Sequence, residues 1–201
     1  MKFRIAVRFC PEEMHLAHSD LRHHHVVVIA VRTTPQETRD RARSQLRQAI
    51  WHVAMSAFDC VAETVRVHST PGKPSVLQIG SRQVYLSMSH DEGLSVAAIS
   101  LNKLVGIDIV KPDAGFEWED VAALYLPDSS RHTISTQVDS ARKHILFYKE
   151  WTHLEARLKY AGLPLSEHSL QREAQFNEFP AHVFHSLDLP AAYIGTICTG
   201  T

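Results

Sequence analysis

Cysteine is scarce in this sequence of 201 residues, which contains Cys10, Cys60 and Cys198 and no C-x-x-C pair. An odd number of widely spaced cysteines argues against a disulfide framework and against a cysteine zinc site. Long apolar runs are also missing, since the longest one, residues 26–31, is too short to cross a bilayer. The first residues lack the layout of a signal peptide. We therefore expect a cytoplasmic protein without a membrane partner.

Neither sign of charge is in excess, because 21 Lys and Arg residues face 22 Asp and Glu residues and the formal net charge is −1. Proteins that bind polyanions usually carry a basic surplus, so this balance argues against nucleic acid as a partner. The sequence also lacks a Gly-, Ser- or Pro-rich linker and any visible repeat. A length of 201 residues therefore indicates one domain or two small lobes.

Histidine, in contrast, is abundant, and the 14 histidines include the run at residues 23–25. We interpret this run as the solvated start of a strand. Three consecutive side chains of an extended segment cannot all reach one metal ion, because they alternate between two faces. A histidine-rich metal-binding protein therefore ranks last among three functional hypotheses.

Alternating strand and helix patterns predict an α+β fold. Thr34, Pro35 and Glu37 have the spacing of a helix N-cap, a first helical residue and a capping-box glutamate, and they predict a long helix to residue 55. A second long helix is predicted at residues 140–160, because its pattern repeats at three- to four-residue intervals and a glycine follows it. Strands are predicted at residues 2–9, 26–31, 65–68, 84–89, 94–100 and 105–110, and a shorter helical region at 118–126. The chain is predicted to close with one or two strands, including residues 192–198.

The first long helix has a basic face that carries Arg39, Arg41, Arg43 and Arg47. Either Arg39, Arg43 or Arg47 adds positive potential to a binding cleft, or the face is simply solvated. The sequence leaves both interpretations open.

Asp108 is the most informative candidate for a functional residue. It lies between two isoleucines in a stretch with the pattern of a buried strand, and a buried carboxylate must be paired, hydrogen-bonded or bound to a cation. Glu155 and Lys159 are four residues apart on the second long helix, which also fits a surface pair worth about 0.3 kcal/mol. Trp151, one turn earlier on the same side, favours an inward-facing surface instead.

Asp108 belongs to one of four short segments that follow a known family pattern in order and spacing: a G-K-P turn, an S-H pair at a strand end, a G-I-D strand and a W-[ST]-x-K-E-[AS]-x-x-K helix. Taken singly, the first two also fit an ordinary turn and a strand end. The matching residues are Gly72-Lys73-Pro74, Ser89-His90, Gly106-Ile107-Asp108, Trp151-Thr152, Glu155-Ala156 and Lys159. Over roughly residues 37–165, the chain therefore resembles the 4′-phosphopantetheinyl transferases, in particular the double-length, single-chain type that activates carrier proteins of fatty-acid, polyketide and peptide synthesis.

The resemblance implies two similar α/β lobes, residues 1–100 and 101–201, that are related by a pseudo-twofold axis. Each lobe would have its long helix on a small antiparallel sheet, and a monomer would hold coenzyme A in the cleft between the lobes. The implied reaction moves the 4′-phosphopantetheine arm of coenzyme A to a serine of an apo acyl or peptidyl carrier protein and releases 3′,5′-ADP. Mg²⁺ would neutralise the pyrophosphate.

The same resemblance implies roles for individual residues. Asp108 and Glu155 are the implied Mg²⁺ ligands, and Glu155 is also the implied general base. Lys159 would meet phosphate charge and complete the catalytic set with these two carboxylates. The implied coenzyme A ligands are Arg47, Lys73, Ser89, His90 and Lys159. Among them, His90 would bind the 3′-phosphate and Ser89 would donate a hydrogen bond to a phosphate.

Two positions depart from the family pattern. Val110 stands where many members have an acidic metal ligand, so we expect weaker Mg²⁺ binding. Leu154 stands where the helix motif has Lys, which removes one cation from a strongly anionic transition state. A rival alignment with Lys149 and Glu150 as the K-E pair is rejected, because Trp151 would then follow the pair. These departures favour the second hypothesis, a degenerate relative that binds coenzyme A or a carrier protein without efficient transfer.

Overall fold

The computed structural model describes residues 4–34, 36–68, 70 and 73–201, with only the backbone of Ala62. Within these residues the chain forms nine strands and six α-helices, which confirms the predicted α+β class. The strands are β1 (Arg4–Phe9), β2 (Val26–Arg32), β3 (Val65–His68), β4 (Val76–Ile79), β5 (Arg82–Asp91), β6 (Leu94–Ser100), β7 (Val105–Val110), β8 (His182–Asp188) and β9 (Ile194–Gly200). The helices are α1 (Met14–His24), α2 (Arg39–Phe58), α3 (Glu119–Tyr125), α4 (Asp128–Ser135), α5 (Ser140–Ala161) and α6 (Leu170–Asn177). No helix formed by the described residues is long and apolar enough to cross a bilayer.

The strands join one mixed sheet in the order β3-β4-β5-β6-β2-β1-β8-β9-β7. β1 is parallel to both of its neighbours, β2 and β8. The remaining pairs are antiparallel, so β1 joins an antiparallel group formed by β2 to β6 to a second one formed by β7 to β9. Two separate small antiparallel sheets were expected, and they are parts of a single sheet because β1 pairs with both groups.

Alternate residues of β2 face two different cores, as expected of a strand. Val27 and Ile29 pack with buried residues of α1 and α2. Val28 and Ala30 pack on the opposite face with strand residues such as Ile107. The fully buried members of this second core all come from strands. The sheet therefore curls over its own inner face, which brings its last strand, β7, against β5.

Side chains of β5, instead of backbone-to-backbone hydrogen bonds, hold β7 in place against β5. Three alternate residues of β5 each accept a hydrogen bond from a backbone N–H along β7 or just beyond it. The bonds run from Ile107 N to Ser87 Oγ (3.0 Å), from Ile109 N to Ser89 Oγ (3.3 Å) and from Lys111 N to Asp91 Oδ2 (2.6 Å). We call this set the β5 side-chain ladder. Because buried backbone N–H groups need partners, the ladder fixes the position of β7 relative to β5.

Helix α5 meets β7 at backbone distance. A Cβ atom built on Gly106 of β7 would lie 1.9 Å from the Ala156 carbonyl oxygen and 2.4 Å from the Tyr160 nitrogen. Only glycine permits this approach, because the atoms that a Cβ would strike belong to the helix backbone. One turn before Ala156 on α5, the Thr152 hydroxyl lies 2.9 Å from the hydroxyl of Thr196 on β9 and fixes the helix to the sheet.

The interpretation of the histidine run as an extended segment is wrong. His23 and His24 are the last residues of α1, and His25 follows in the left-handed conformation with a φ of 63°. Helix α1 buries Ala17 and Leu21, one turn apart. Such a short apolar stripe gives little periodicity in the sequence, so the helix was not predicted.

Helix α2 begins at Arg39, later than predicted, and its N-cap is Thr38. Glu37 does accept a hydrogen bond from the Thr34 N–H at 3.2 Å. That contact closes a turn ahead of the helix instead of starting the helix. Strand β4 and helices α4 and α6 occur where no element was predicted. Residues 2, 3 and 35, which the predictions include, lie outside the described part of the chain.

Candidate functional site

A cleft of about 900 Å³ opens between α2, the ends of β5 and β7, and α5. The residues predicted for the site all line it: Arg47, Lys73, Ser89, His90, Asp108, Glu155 and Lys159. Gly72 of the G-K-P motif lies outside the described residues. Segments that are distant in the sequence therefore meet on one concave surface, which is the usual setting of a small-molecule site.

Asp108 projects from β7 into this cleft and is only 6% exposed. Its Oδ1 atom accepts two hydrogen bonds, one from Ser89 Oγ at 2.8 Å and one from Lys159 Nζ at 2.7 Å. The ammonium group and the hydroxyl together compensate the carboxylate for its loss of water. Lys159 is thus the counter-ion that the buried position of Asp108 required.

Glu155 lies one turn before Lys159 on the face of α5 that lines the cleft, and it is half-buried. Burial raises the pKa of the Glu155 carboxyl, the charge of Asp108 raises it further, and Lys159 opposes the shift. A carboxylate with a raised pKa is a stronger base near neutral pH. The effect of Asp108 on Glu155 also means that the two carboxylates repel each other across the cleft.

The donor set of the cleft fits Mg²⁺. No group of three or more His, Cys, Asp and Glu side chains forms a metal site among the residues that the structure describes. Asp108 and Glu155 both line the cleft, and Mg²⁺ is commonly held by one or two carboxylates together with waters and substrate phosphates. A cation bound by both would offset their repulsion, which adds to the effect of burial on the pKa of Glu155. Val110 lines the same cleft as an apolar side chain and adds no ligand.

Helix α2 contributes a row of arginines to the cleft. Arg39, Arg43 and Arg47 are exposed, lie one turn apart and all line it. Arg41 lies off this row and pairs with Glu37 at 2.8 Å. Of the two interpretations of the basic face, this arrangement favours positive potential at the cleft, because the aligned cations face the same hollow as the acidic pair.

The turn that carries Lys73 rests against the end of α5. Gly162 caps α5 in the left-handed conformation, with a φ of 67°. A Cβ atom on Gly162 would lie 2.3 Å from Pro74 Cδ and 2.7 Å from the carbonyl carbon of Lys73. Glycine is therefore required both by its backbone angle and by the close contact. This contact holds Lys73 at the cleft beside the helix of the acidic pair.

His90, the second residue of the S-H motif on β5, lies among cationic side chains. Its Nδ1 atom is 2.9 Å from Ser95 Oγ. Burial lowers the pKa of His90 to about 4, and the charges of Arg43, Lys159 and two further arginines contribute to the decrease. His90 is therefore neutral near pH 7. A bound anion would counter the surrounding cations and favour its protonation.

We expect the stability of the native chain to fall more steeply than that of His90→Gln as the pH decreases from about 6.5 to about 4. His90 binds a proton with a pKa of about 4 in the folded chain and of 6.5 in its ordinary state, so the unfolded chain binds more protons in this interval and acid favours it. Urea unfolding at a series of pH values measures the difference between the two proteins. A difference that stays constant across the interval would contradict the lowered pKa of His90, to which burial contributes most and the neighbouring cations contribute further.

Leu154, which stands where the motif has a lysine, does not face the cleft. It is 7% exposed and packs with Phe147 and Leu158 in a buried core. Successive helix residues are about 100° apart, so Glu155 faces the cleft while Leu154 faces the core. The structure therefore places this leucine in the core, and the effect of the missing lysine on the reaction stays a prediction.

Leu154→Lys is accordingly expected to destabilise the fold by about 3 kcal/mol, because it buries an ammonium group among apolar side chains. Chemical denaturation measures the loss. Val138→Lys is the matched control, since Val138 is fully exposed and its replacement should change stability by less than about 0.5 kcal/mol. A Leu154→Lys protein as stable as this control would argue against the buried position.

Two residues that hold β5 against β7, Ser87 and Asp91, were not predicted. Asp91 also lines the cleft and accepts the Lys111 N–H. The signal for both is the alternation of polar residues at 87, 89 and 91, which places them on one face of a strand.

No protein-family model matches this chain, and no curated protein matches its sequence.

Proposed function

We propose that this chain is a 4′-phosphopantetheinyl transferase, which moves the arm of coenzyme A to a serine of an apo acyl or peptidyl carrier protein with the help of Mg²⁺. One observation carries the proposal: residues of four ordered sequence motifs line one cleft, together with a row of three arginines. A cleft with an acidic pair and several cations suits a substrate that brings a metal-bound pyrophosphate and a separate phosphate.

The cations of the cleft support distinct contacts to coenzyme A. Arg47, Lys73 and His90 are proposed to bind the nucleotide end, with His90 on the 3′-phosphate. Lys159 is proposed to move from Asp108 to the pyrophosphate, whose negative charge competes for the ammonium group. Mg²⁺ held by Asp108 and Glu155 would neutralise charge on the pyrophosphate and polarise a phosphoryl oxygen.

Glu155 is proposed to accept the proton of the carrier serine, directly or through a water. The serine oxygen attacks the β-phosphorus, the bond from that phosphorus to the bridging oxygen breaks, and 3′,5′-ADP leaves with the electron pair. Glu155 lines the cleft as a half-buried carboxylate, which is a type of group that can accept the proton of a reacting hydroxyl.

The proposed architecture has two lobes, residues 1–100 and 101–201. The two antiparallel groups on either side of β1, with α2 in one half and α5 in the other, support this division. Since residues of both α2 and α5 line the cleft, one chain supplies the whole site and a monomer suffices. A cytoplasmic location is part of the same proposal.

The proposal is tested by incubating the purified chain with coenzyme A, Mg²⁺ and a panel of apo acyl and peptidyl carrier proteins. Intact-mass spectrometry should detect the gain of one phosphopantetheine arm on at least one carrier, and 3′,5′-ADP should appear in equal amount. Two controls should show no gain, namely a carrier whose acceptor serine is alanine and a reaction with excess chelator.

A second candidate function is favoured by Val110, which adds no carboxylate beside Asp108 and Glu155. In this case the chain binds coenzyme A or a carrier protein without efficient transfer. Calorimetric binding of coenzyme A without a mass gain on any carrier would support this second function over the first.

A further inference from the structure

Two serines of the β5 side-chain ladder are nearly equivalent. Ser87 is 4% exposed and Ser89 is 5% exposed. Each accepts a backbone N–H of β7, from Ile107 at 3.0 Å and from Ile109 at 3.3 Å. The two hydroxyls therefore make the same contribution to the closure of the sheet.

Ser89 differs from Ser87 in one contact, because its hydroxyl also donates to Asp108 Oδ1 at 2.8 Å. A serine hydroxyl has a single hydrogen to donate. While that hydrogen lies on Asp108, Ser89 cannot donate to a phosphate, which was the role implied by the family resemblance. The accepted N–H of Ile109 holds the hydroxyl in place from the other side.

We propose that Ser89 is a positioning residue that orients the Asp108 carboxylate toward the cleft for metal binding. The Ser89 hydroxyl donates to Asp108 Oδ1, the same oxygen that accepts a hydrogen bond from Lys159 Nζ at 2.7 Å. When the ammonium group leaves for a phosphate, the bond from Ser89 keeps the carboxylate from rotating. Hydrogen bonds of this kind to a metal-ligating carboxylate fix its orientation and raise metal affinity.

This inference rests on the metal site of the proposed function, and metal binding tests it without any transfer reaction. The experiment measures the dissociation constant of Mn²⁺, a paramagnetic substitute for Mg²⁺, by electron paramagnetic resonance with coenzyme A present. The proteins compared are the native chain, Ser89→Ala, Ser89→Thr and Ser87→Ala. Ser87→Ala is the matched control, because it removes a ladder bond of the same kind without touching Asp108.

We expect Ser89→Ala to weaken Mn²⁺ binding by roughly tenfold or more. Ser87→Ala should weaken it by less than about threefold. Ser89→Thr should retain most of the native affinity, because threonine keeps the hydroxyl. Should Ser89→Ala fail to fold, Ser89→Cys serves instead, since a thiol is a weak donor. Equal effects of Ser87→Ala and Ser89→Ala would overturn the positioning role, as would a native chain that does not bind Mn²⁺. The two proposals can fail separately. If Ser89→Ala selectively loses Mn²⁺ binding, the positioning role is supported even where the native chain modifies no carrier, a result that contradicts the transferase proposal.

Discussion

Asp108→Asn is expected to lower the rate of transfer to a carrier serine by about 10³-fold, while the chain remains folded. The asparagine side chain has nearly the same shape and keeps an oxygen that can accept the Ser89 hydroxyl. It lacks the charge that would bind Mg²⁺ and that pairs with Lys159 in the free chain. The predicted loss therefore comes from electrostatics and not from packing.

The cost of Asp108→Asn in folding stability should be about 2 kcal/mol, the usual value of a charged hydrogen bond. The Lys159 side chain is 30% exposed and can extend into the cleft when its partner is neutral. Single-turnover assays and urea unfolding separate the two effects. Asp188→Asn is the matched control, because Asp188 forms an exposed ion pair on β8. Transfer by Asp108→Asn within about threefold of the native rate would refute the assignment of Asp108 as a metal ligand.

Gly106→Ala is expected to destabilise the fold by about 3 kcal/mol or more, at the upper end of the range for overpacking. The added methyl group would lie 1.9 Å from the Ala156 carbonyl oxygen and 2.4 Å from the Tyr160 nitrogen. Both atoms belong to the helix backbone, so no side-chain rotation relieves the contact. Helix α5 must move away from β7, and this movement separates Glu155 and Lys159 from Asp108.

Gly115→Ala provides the control for this change, because its Cβ atom would meet only the Asp113 side chain, at 3.5 Å. Its stability should lie within about 0.5 kcal/mol of the native value. Urea unfolding of both variants, with the transfer assay, gives the comparison. Equal midpoints for Gly106→Ala and Gly115→Ala would be incompatible with the close approach of α5 to β7.

The parts of the site that the sequence predicts are those with a local signal. Asp108 is recognisable because a carboxylate between two isoleucines in a strand must have a partner. Trp151, Glu155 and Lys159 are recognisable as one helix face by their spacing of four residues. Leu154 precedes Glu155 by one residue, which turns it about 100° around the helix, and its place in the core is seen in the structure.

Other features depend on contacts between distant segments. The β5 side-chain ladder exists because the sheet curls until β7 reaches β5. A sequence pattern can place Ser87, Ser89 and Asp91 on one face of a strand, but the strand opposite them is set by the whole sheet. The orientation of the basic face of α2 is likewise decided by packing. Helix α1 and strand β4 have short apolar patterns, and tertiary contacts rather than periodicity stabilise them.

The most direct test of the central proposal is a crystal structure of the chain with coenzyme A and Mn²⁺, with diffraction data collected at the manganese absorption edge. We predict an anomalous peak that is bonded to a carboxylate oxygen of Asp108 and to one of Glu155, next to the pyrophosphate of coenzyme A. A peak at any other position would contradict the proposed site. So would a coenzyme A pyrophosphate that binds outside the cleft while Lys159 remains bonded to Asp108.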